Sequence, residues 1–357
     1  MDFEKFKEQI AEDIKEALYE QGIEVRTEER PVEKLNESYE ALTITPENSN
    51  IGMNINLTSL YKAVEDGRDY SEVSGATIEN VKKHIVDMPE VDVDALTDYE
   101  QMKSKLTIEV VSKEANAEML DKIPHQDMED MAVVYRFVLG ASDDGRSTIL
   151  VTNNLIENMG VTPEQLHADA IANAPELRPA EIKGMSQVMF EMMGADQFEM
   201  FGMPVATDIR DEQMIVATVS DKTCGAGVIA YPNFMENVAQ EIGCDFYILP
   251  SSIHEVLVVP DKGDMTLSQL QDMVREVNAT QVAPNEKLTD NVYHYDAKDH
   301  IFELGEKFEA RMAVKNADRD AKDSVLGDLA AKKEEVAKAP KKEQHDKGDK
   351  AKGGEAL

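Results

Sequence analysis

The sequence has no tryptophan, only two cysteines and few basic residues for its length: 37 Lys and Arg stand against 71 Asp and Glu in 357 residues, a formal net charge of −34. Each shortage excludes something. A protein that grips a nucleic-acid backbone needs a surplus of Lys and Arg against phosphate, and one that docks on an anionic membrane needs the same. Cys224 and Cys244 lie far apart without a CxxC pair, which excludes a disulfide framework and a zinc ribbon and leaves two ordinary reduced thiols. No run of about 18 apolar residues is present, so nothing reads as a helix across a bilayer. The opening MDFEKFKEQIAEDIKEAL mixes charges and lacks the apolar stretch of a signal peptide. The expected location is the cytoplasm.

What is present is ordinary in amount and uneven in place. Apolar residues make up 42% and charged residues 30%, as in soluble globular proteins, and the length suits two domains and a tail. From Glu306 to Leu357 there are 13 basic and 12 acidic residues, so 1–305 carries 24 basic and 59 acidic ones. The acidity therefore sits in the part expected to fold. The end of the chain, rich in Ala, Lys, Glu, Asp and Gly, has too little apolar surface to offset the entropy of ordering. Residues 306–357 are expected to be a charged, mostly disordered tail.

The fold class expected is α+β, mixed sheets with packed helices, divided into a block at 1–100 and a larger one at 101–305. Phe3, Phe6, Ile10, Ile14 and Leu18 recur at helical spacing before Gly22. Short strands and two more helices complete the first block. In the second, Ser142-Asp143-Asp144-Gly145 signals a hairpin, Thr162-Pro163-Glu164-Gln165 opens a helix, and Thr266-Leu267-Ser268-Gln269 forms another capping box. Between them, Met214–Val219, Gly227–Tyr231, Asp245–Leu249 and Glu255–Val259 read as strands and Phe234–Ile242 as a helix, in βαβ-like order. Met185, Met189, Met192, Met193, Met200 and Met203 fall within residues 185–203 with Phe190, Phe198 and Phe201. Flexible thioethers suit an adaptable binding surface, but a loosely specified helix packed in the core is the simpler expectation.

Several strings resemble a domain family of unknown function found in Gram-positive gut anaerobes. DFYILPSSIHEVLVVP and MVREVNATQVAPNEKLTDNVYHYD carry the resemblance, and INLTSLYKAVEDG, IPHQDMEDMAVVYRFVL and ILVTNNLIENMGVTPEQLHADAIANAPELRPAEI agree in order. The resemblance covers roughly 1–303 and implies no activity, cofactor or site residue. A fainter similarity through NNLIENMGVTPEQLHADA, to another uncharacterised bacterial family, adds no chemistry.

No phosphate-binding GxxxxGK[ST] or GxGxxG occurs, and the lone Cys224-Gly225-Ala226-Gly227 reads as hairpin or bulge glycines. Ser251, Ser252, His254 and Glu255 follow a proline between two strands, where functional side chains often sit. A serine nucleophile needs a base within reach and an oxyanion site, and no GxSxG elbow is present; the plain reading is a turn whose serines bond their own backbone. His294 and Asp296, with Asp299 and His300, mix imidazole and carboxylate as a divalent ion would require, yet they also spell a hairpin turn. His125, Asp127 and Asp130 form a weaker set read as loop polarity or helix capping. No cofactor is expected. The function expected is a non-catalytic acidic binding or regulatory protein that engages a basic partner, with a hydrolase on the Ser251–His254 loop, or with a metal at His294 and Asp296, as the alternative. The acidic groups of 87–100 and 114–130 are expected to gather on one face.

Overall fold

In a computed structural model, the described residues are 1–49, 51–86, 95–142, 145–194, 204–317, 319 and 333. The chain divides into one unit at Met1–Gly305 and a second at Glu306–Leu357. In the second, helix runs through residue 317; most of the expected tail lies outside the described residues. Among the described residues no helix is long and apolar enough to cross a membrane.

The α+β expectation is borne out. Helix α1 (Phe3–Tyr19) is capped by Asp2, whose carboxylate accepts the Lys5 N–H. It packs on an antiparallel sheet of β1 (Val25–Lys34), β2 (Glu37–Pro46) and β3 (Met53–Asn56), together with α2 (Leu57–Glu65) and α3 (Tyr70–Ile85). Phe6, Ile10, Ile14 and Leu18 of α1, Leu42 and Ile44 of β2, Leu57, Val81 and Ile85 close a core drawn entirely from this block. The β1–β2 hairpin turns through Leu35 and Asn36, the latter at φ +64, a left-handed value that Asn tolerates.

The larger block opens with the short helix α4 (Tyr99–Met102) and contains two further antiparallel sheets. One joins β4 (Leu106–Ser112) to β6 (Met131–Ser142), whose other edge is shared by β5 (His125–Met128) and β7 (Gly145–Leu150). The hairpin expected around Ser142 is formed, its two central residues outside the described set. Helices α5 (Ala117–Leu120), α6 (Asn153–Met159) and α7 (Pro163–Leu177) accompany it. Thr162 caps α7 by accepting the Gln165 N–H.

The other sheet runs in the order β13-β12-β10-β11-β9-β8. Its strands are β8 (Ala180–Gly184), β9 (Ile215–Val219), β10 (Phe246–Leu249), β11 (Val256–Pro260), β12 (Tyr293–Asp296) and β13 (Ile301–Leu304), with α8 (Met185–Met193), α9 (Phe234–Ile242) and α10 (Leu267–Thr280) between them. Strands β9 and β10 flank β11, antiparallel to both. The expected βαβ order is therefore realised as a split unit, with α9 as the crossover. The period of two decides the layers. Val133, Tyr135 and Phe137 of one sheet meet Phe246, Ile248, Val256 and Val258 of the other, while Tyr247, Leu249 and Val259 turn to α10. The capping box that starts α10 is complete on both sides.

Residues Gly225–Ala230 differ from the strand expected at 227–231: they form a 3-10 turn buried between the two sheets. A short, fully apolar run carries no periodicity to separate strand from helix. Here a β-carbon on Gly227 would touch the β4 backbone, 3.4 Å from the Ile108 carbonyl.

Candidate functional site

The hairpin loop between β10 and β11 is held on both sides. The Ile253 N–H donates to the Glu286 carbonyl at 2.9 Å, and the Leu288 N–H donates to that of Ser251 at 3.2 Å. Across the loop, the Ile253 carbonyl accepts the Ala226 N–H at 3.0 Å and the His254 carbonyl accepts the Thr218 hydroxyl at 2.7 Å. Ser251 is buried and Glu255 exposed. The Ser252 hydroxyl accepts the His254 main-chain N–H at 3.0 Å, the local turn bond typical of serine.

The imidazole of His254 points elsewhere. Its Nδ1 lies 3.2 Å from the Cys224 main-chain nitrogen and its Nε2 lies 3.3 Å from Glu286 Oε1. A backbone N–H can only donate, so Nδ1 is the acceptor and the proton of the neutral ring sits on Nε2, facing the carboxylate. Cys224 itself is left-handed, at φ +50. A β-carbon on Gly225 would stand 2.1 Å from the Thr218 hydroxyl and 2.5 Å from the His254 carbonyl, so only glycine fits. Beneath this turn the buried Arg178 donates to the Thr223 carbonyl and lies 3.3 Å from Asp221 Oδ1. Cys224 and Glu286, each about thirty residues from His254, are the partners that sequence reasoning missed, because contacts between turns leave no periodic signal.

The suggested metal residues do not converge. His294 is fully buried, 3.1 Å from Asp261 Oδ2 and edge-on to Tyr247. Asp296 accepts the N–H groups of Lys298 and Asp299 at 3.1 and 3.0 Å, which is turn chemistry. His300 lies 3.2 Å from the Tyr295 hydroxyl, on the face of β12 opposite to His294. Among the described residues no three His, Cys, Asp or Glu side chains are placed to hold a metal.

Of the weaker set, His125 and Asp127 belong to strand β5 rather than to a loop or a cap. Asp130, in the turn between β5 and β6, ties that turn to the segment leading into β12, accepting from the hydroxyls of Thr289 (2.7 Å) and Tyr293 and from the Asn291 amide (3.0 Å). Burial pushes its carboxyl up, but the donors from Tyr293, Thr289 and Asn291 outweigh it and hold the pKa below the usual range.

Two surfaces lie away from the β10–β11 loop. A cleft of 390 Å³ opens where the β1–β2 hairpin tip meets the segment before α5, lined by Glu33, Lys34 and Glu37 on one side and Glu114 and Glu118 on the other. Leu35 packs beside Val111 and Leu120, Asn36 and Asn116 exchange hydrogen bonds, and Lys122 pairs with Glu33. Of the segments expected to gather acidity, 114–130 supplies Glu114 and Glu118, while residues 87–94 lie outside the described set. Helix α8 holds the first half of the methionine cluster. None of its residues is buried, and Met192 is 79% exposed. The core helix expected there is corrected to a surface helix: it follows edge strand β8, and among the described residues nothing buries any of its side chains. Met200, Met203, Phe198 and Phe201 lie outside the described residues.

The sequence model of a family of unknown function, DUF5688, matches residues 3–297. No curated protein and no solved structure matches the chain. The match spans both the N-terminal block and nearly all of the larger one, and the chain belongs to the DUF5688 family, whose function is unknown.

Proposed function

We propose that this chain is a non-catalytic, cytoplasmic binding or regulatory protein that engages a basic partner. The observation that carries this reading is the cleft between the hairpin tip and residues 114–119, where Glu33, Glu37, Glu114 and Glu118 face a space shared with one cation, Lys34. A concave surface with an excess of one sign of charge, here kept by Glu37, Glu114 and Glu118 although Lys122 pairs with Glu33, focuses its field and speeds encounter with a partner of the opposite sign. A chain with 59 acidic and 24 basic residues over 1–305 adds long-range attraction. The commitment of the His254 lone pair to the Cys224 N–H supports this reading over a hydrolase built on Ser251, Ser252, His254 and Glu255, since a general base needs that lone pair for its proton.

The test uses a Lys-rich synthetic peptide and the full chain. Binding should weaken steeply between about 50 mM and about 500 mM salt, as screening shortens from ~14 Å to ~4 Å. Glu114→Gln with Glu118→Gln should weaken it roughly tenfold at the lower salt. Affinity that ignores both salt and these substitutions would end the proposal.

A further inference from the structure

The order β1-β2-β3 leaves β3 at a sheet edge: it pairs with β2 from Ala41–Asn56 to Ile44–Met53 and with no other strand among the described residues. A groove of 340 Å³ touches Asn54, Ile55 and Asn56 in succession. Successive strand residues point to opposite faces, so a space in contact with all three lies beside the strand, not above the sheet. With β2 on one side, the groove follows the open edge, where alternate N–H and C=O groups of β3 face outward. Its far wall is α2 and α3. Leu60 and Val73 make it apolar there, and Ala63 and Ala76 leave it room. At strand spacings of about 3.3 Å along, 4.8 Å across and 10 Å in depth, the volume holds about two extended residues.

We propose that this groove takes an extended segment of a partner protein that adds to β3 as a fourth strand, one apolar side chain entering over Val73 and basic residues flanking it. Strand addition draws affinity from main-chain hydrogen bonds and selectivity from the pocket beside the edge. The flanking charge follows from complementarity at the end of the groove: its one charged lining residue, Arg68, is paired with Glu72 at 3.0 Å, the exposed Glu65, Asp66 and Asp69 stand in the same turn, and residues 1–85 together hold 19 acidic and 10 basic groups. A second copy of the same chain would bring like charge to the same edge, which disfavours self-pairing. The proposal borrows from the preceding one only the sign of the partner's charge.

The experiment titrates the full chain with a fluorescent octapeptide alternating Val and Lys, and follows anisotropy and hydrogen exchange of the β3 amides. A control peptide carries N-methyl groups on every second backbone nitrogen, made in both registers. It keeps every side chain and charge and loses the ladder donors. Binding by the plain peptide should protect β3 and fall at least tenfold on N-methylation. It should fall equally with Ala76→Phe, which fills the groove from an exposed position and should leave the melting temperature unchanged. N-methylated peptides that bind as well as the plain one overturn the groove, as does unaltered binding to the Ala76→Phe chain or no binding of the plain peptide. If binding survives N-methylation yet falls with Glu114→Gln and Glu118→Gln, the acidic cleft stands and the groove falls. If it is sensitive to N-methylation and indifferent to salt, the groove's strand addition stands and the basic-partner reading falls.

Discussion

The loop at 250–255 and helix α8 reverse what their compositions suggest. The loop is polar and irregular, yet Ser251, Ile253 and His254 all have main-chain groups bonded to residues of other elements. Helix α8 is regular, and six of its nine residues are Met, Val or Phe, yet none is buried. The difference shows that order follows partners. A loop becomes rigid when neighbouring chains offer complementary N–H and C=O groups. An apolar helix stays on the surface where, as for α8 among the described residues, no layer buries it.

The largest effect should come from closing the space the loop depends on. Gly225→Ala would push a methyl into the Thr218 hydroxyl and the His254 carbonyl, and unfolding in urea should show a loss of about 3 kcal/mol or more. A variant as stable as the native protein would mean that the loop yields easily, and the contrast with α8 would collapse.

A smaller effect follows from pH. The segment that clamps the loop, Glu286–Leu288, runs on into Thr289, Asn291 and Tyr293, all held by Asp130. Because the folded carboxyl has its pKa lowered, its contribution is present above the unfolded value near 3.9 and is lost as pH falls through the folded one. Asp130→Asn should cost about 2 kcal/mol at neutral pH and converge with the native protein in acid. Parallel stability curves at all pH values would remove Asp130 from the clamp.

The smallest effect belongs to α8. Met192→Ser changes a side chain that is 79% exposed and should shift stability by less than about 0.5 kcal/mol. A loss several times larger would show that the helix is packed after all.

What the sequence made legible was local. The stripe of α1, the Thr266 box and the β6–β7 hairpin each depend on neighbours within a few residues, and each formed as expected. The loop at Ser251–Glu255 was legible as a loop. Its chemistry was not, because the groups that decide it, Cys224 and Glu286, come from other turns. The same holds for His294, whose neighbour Asp261 lies across the sheet end. Residues 227–230 form a turn where their composition suggests a strand, because a uniformly buried run shows no alternation.

The N-terminal core has a consequence for how the chain is made. All of its buried members lie between Phe6 and Ile85, so nothing synthesised later is needed to complete it. Asn116, which meets the hairpin tip, is added roughly thirty residues afterwards, about two to six seconds at ordinary translation speeds. The nascent chain can therefore shelter its first apolar faces before the strands of the larger sheets exist, and the hairpin tip is already shaped when the segment it meets is made.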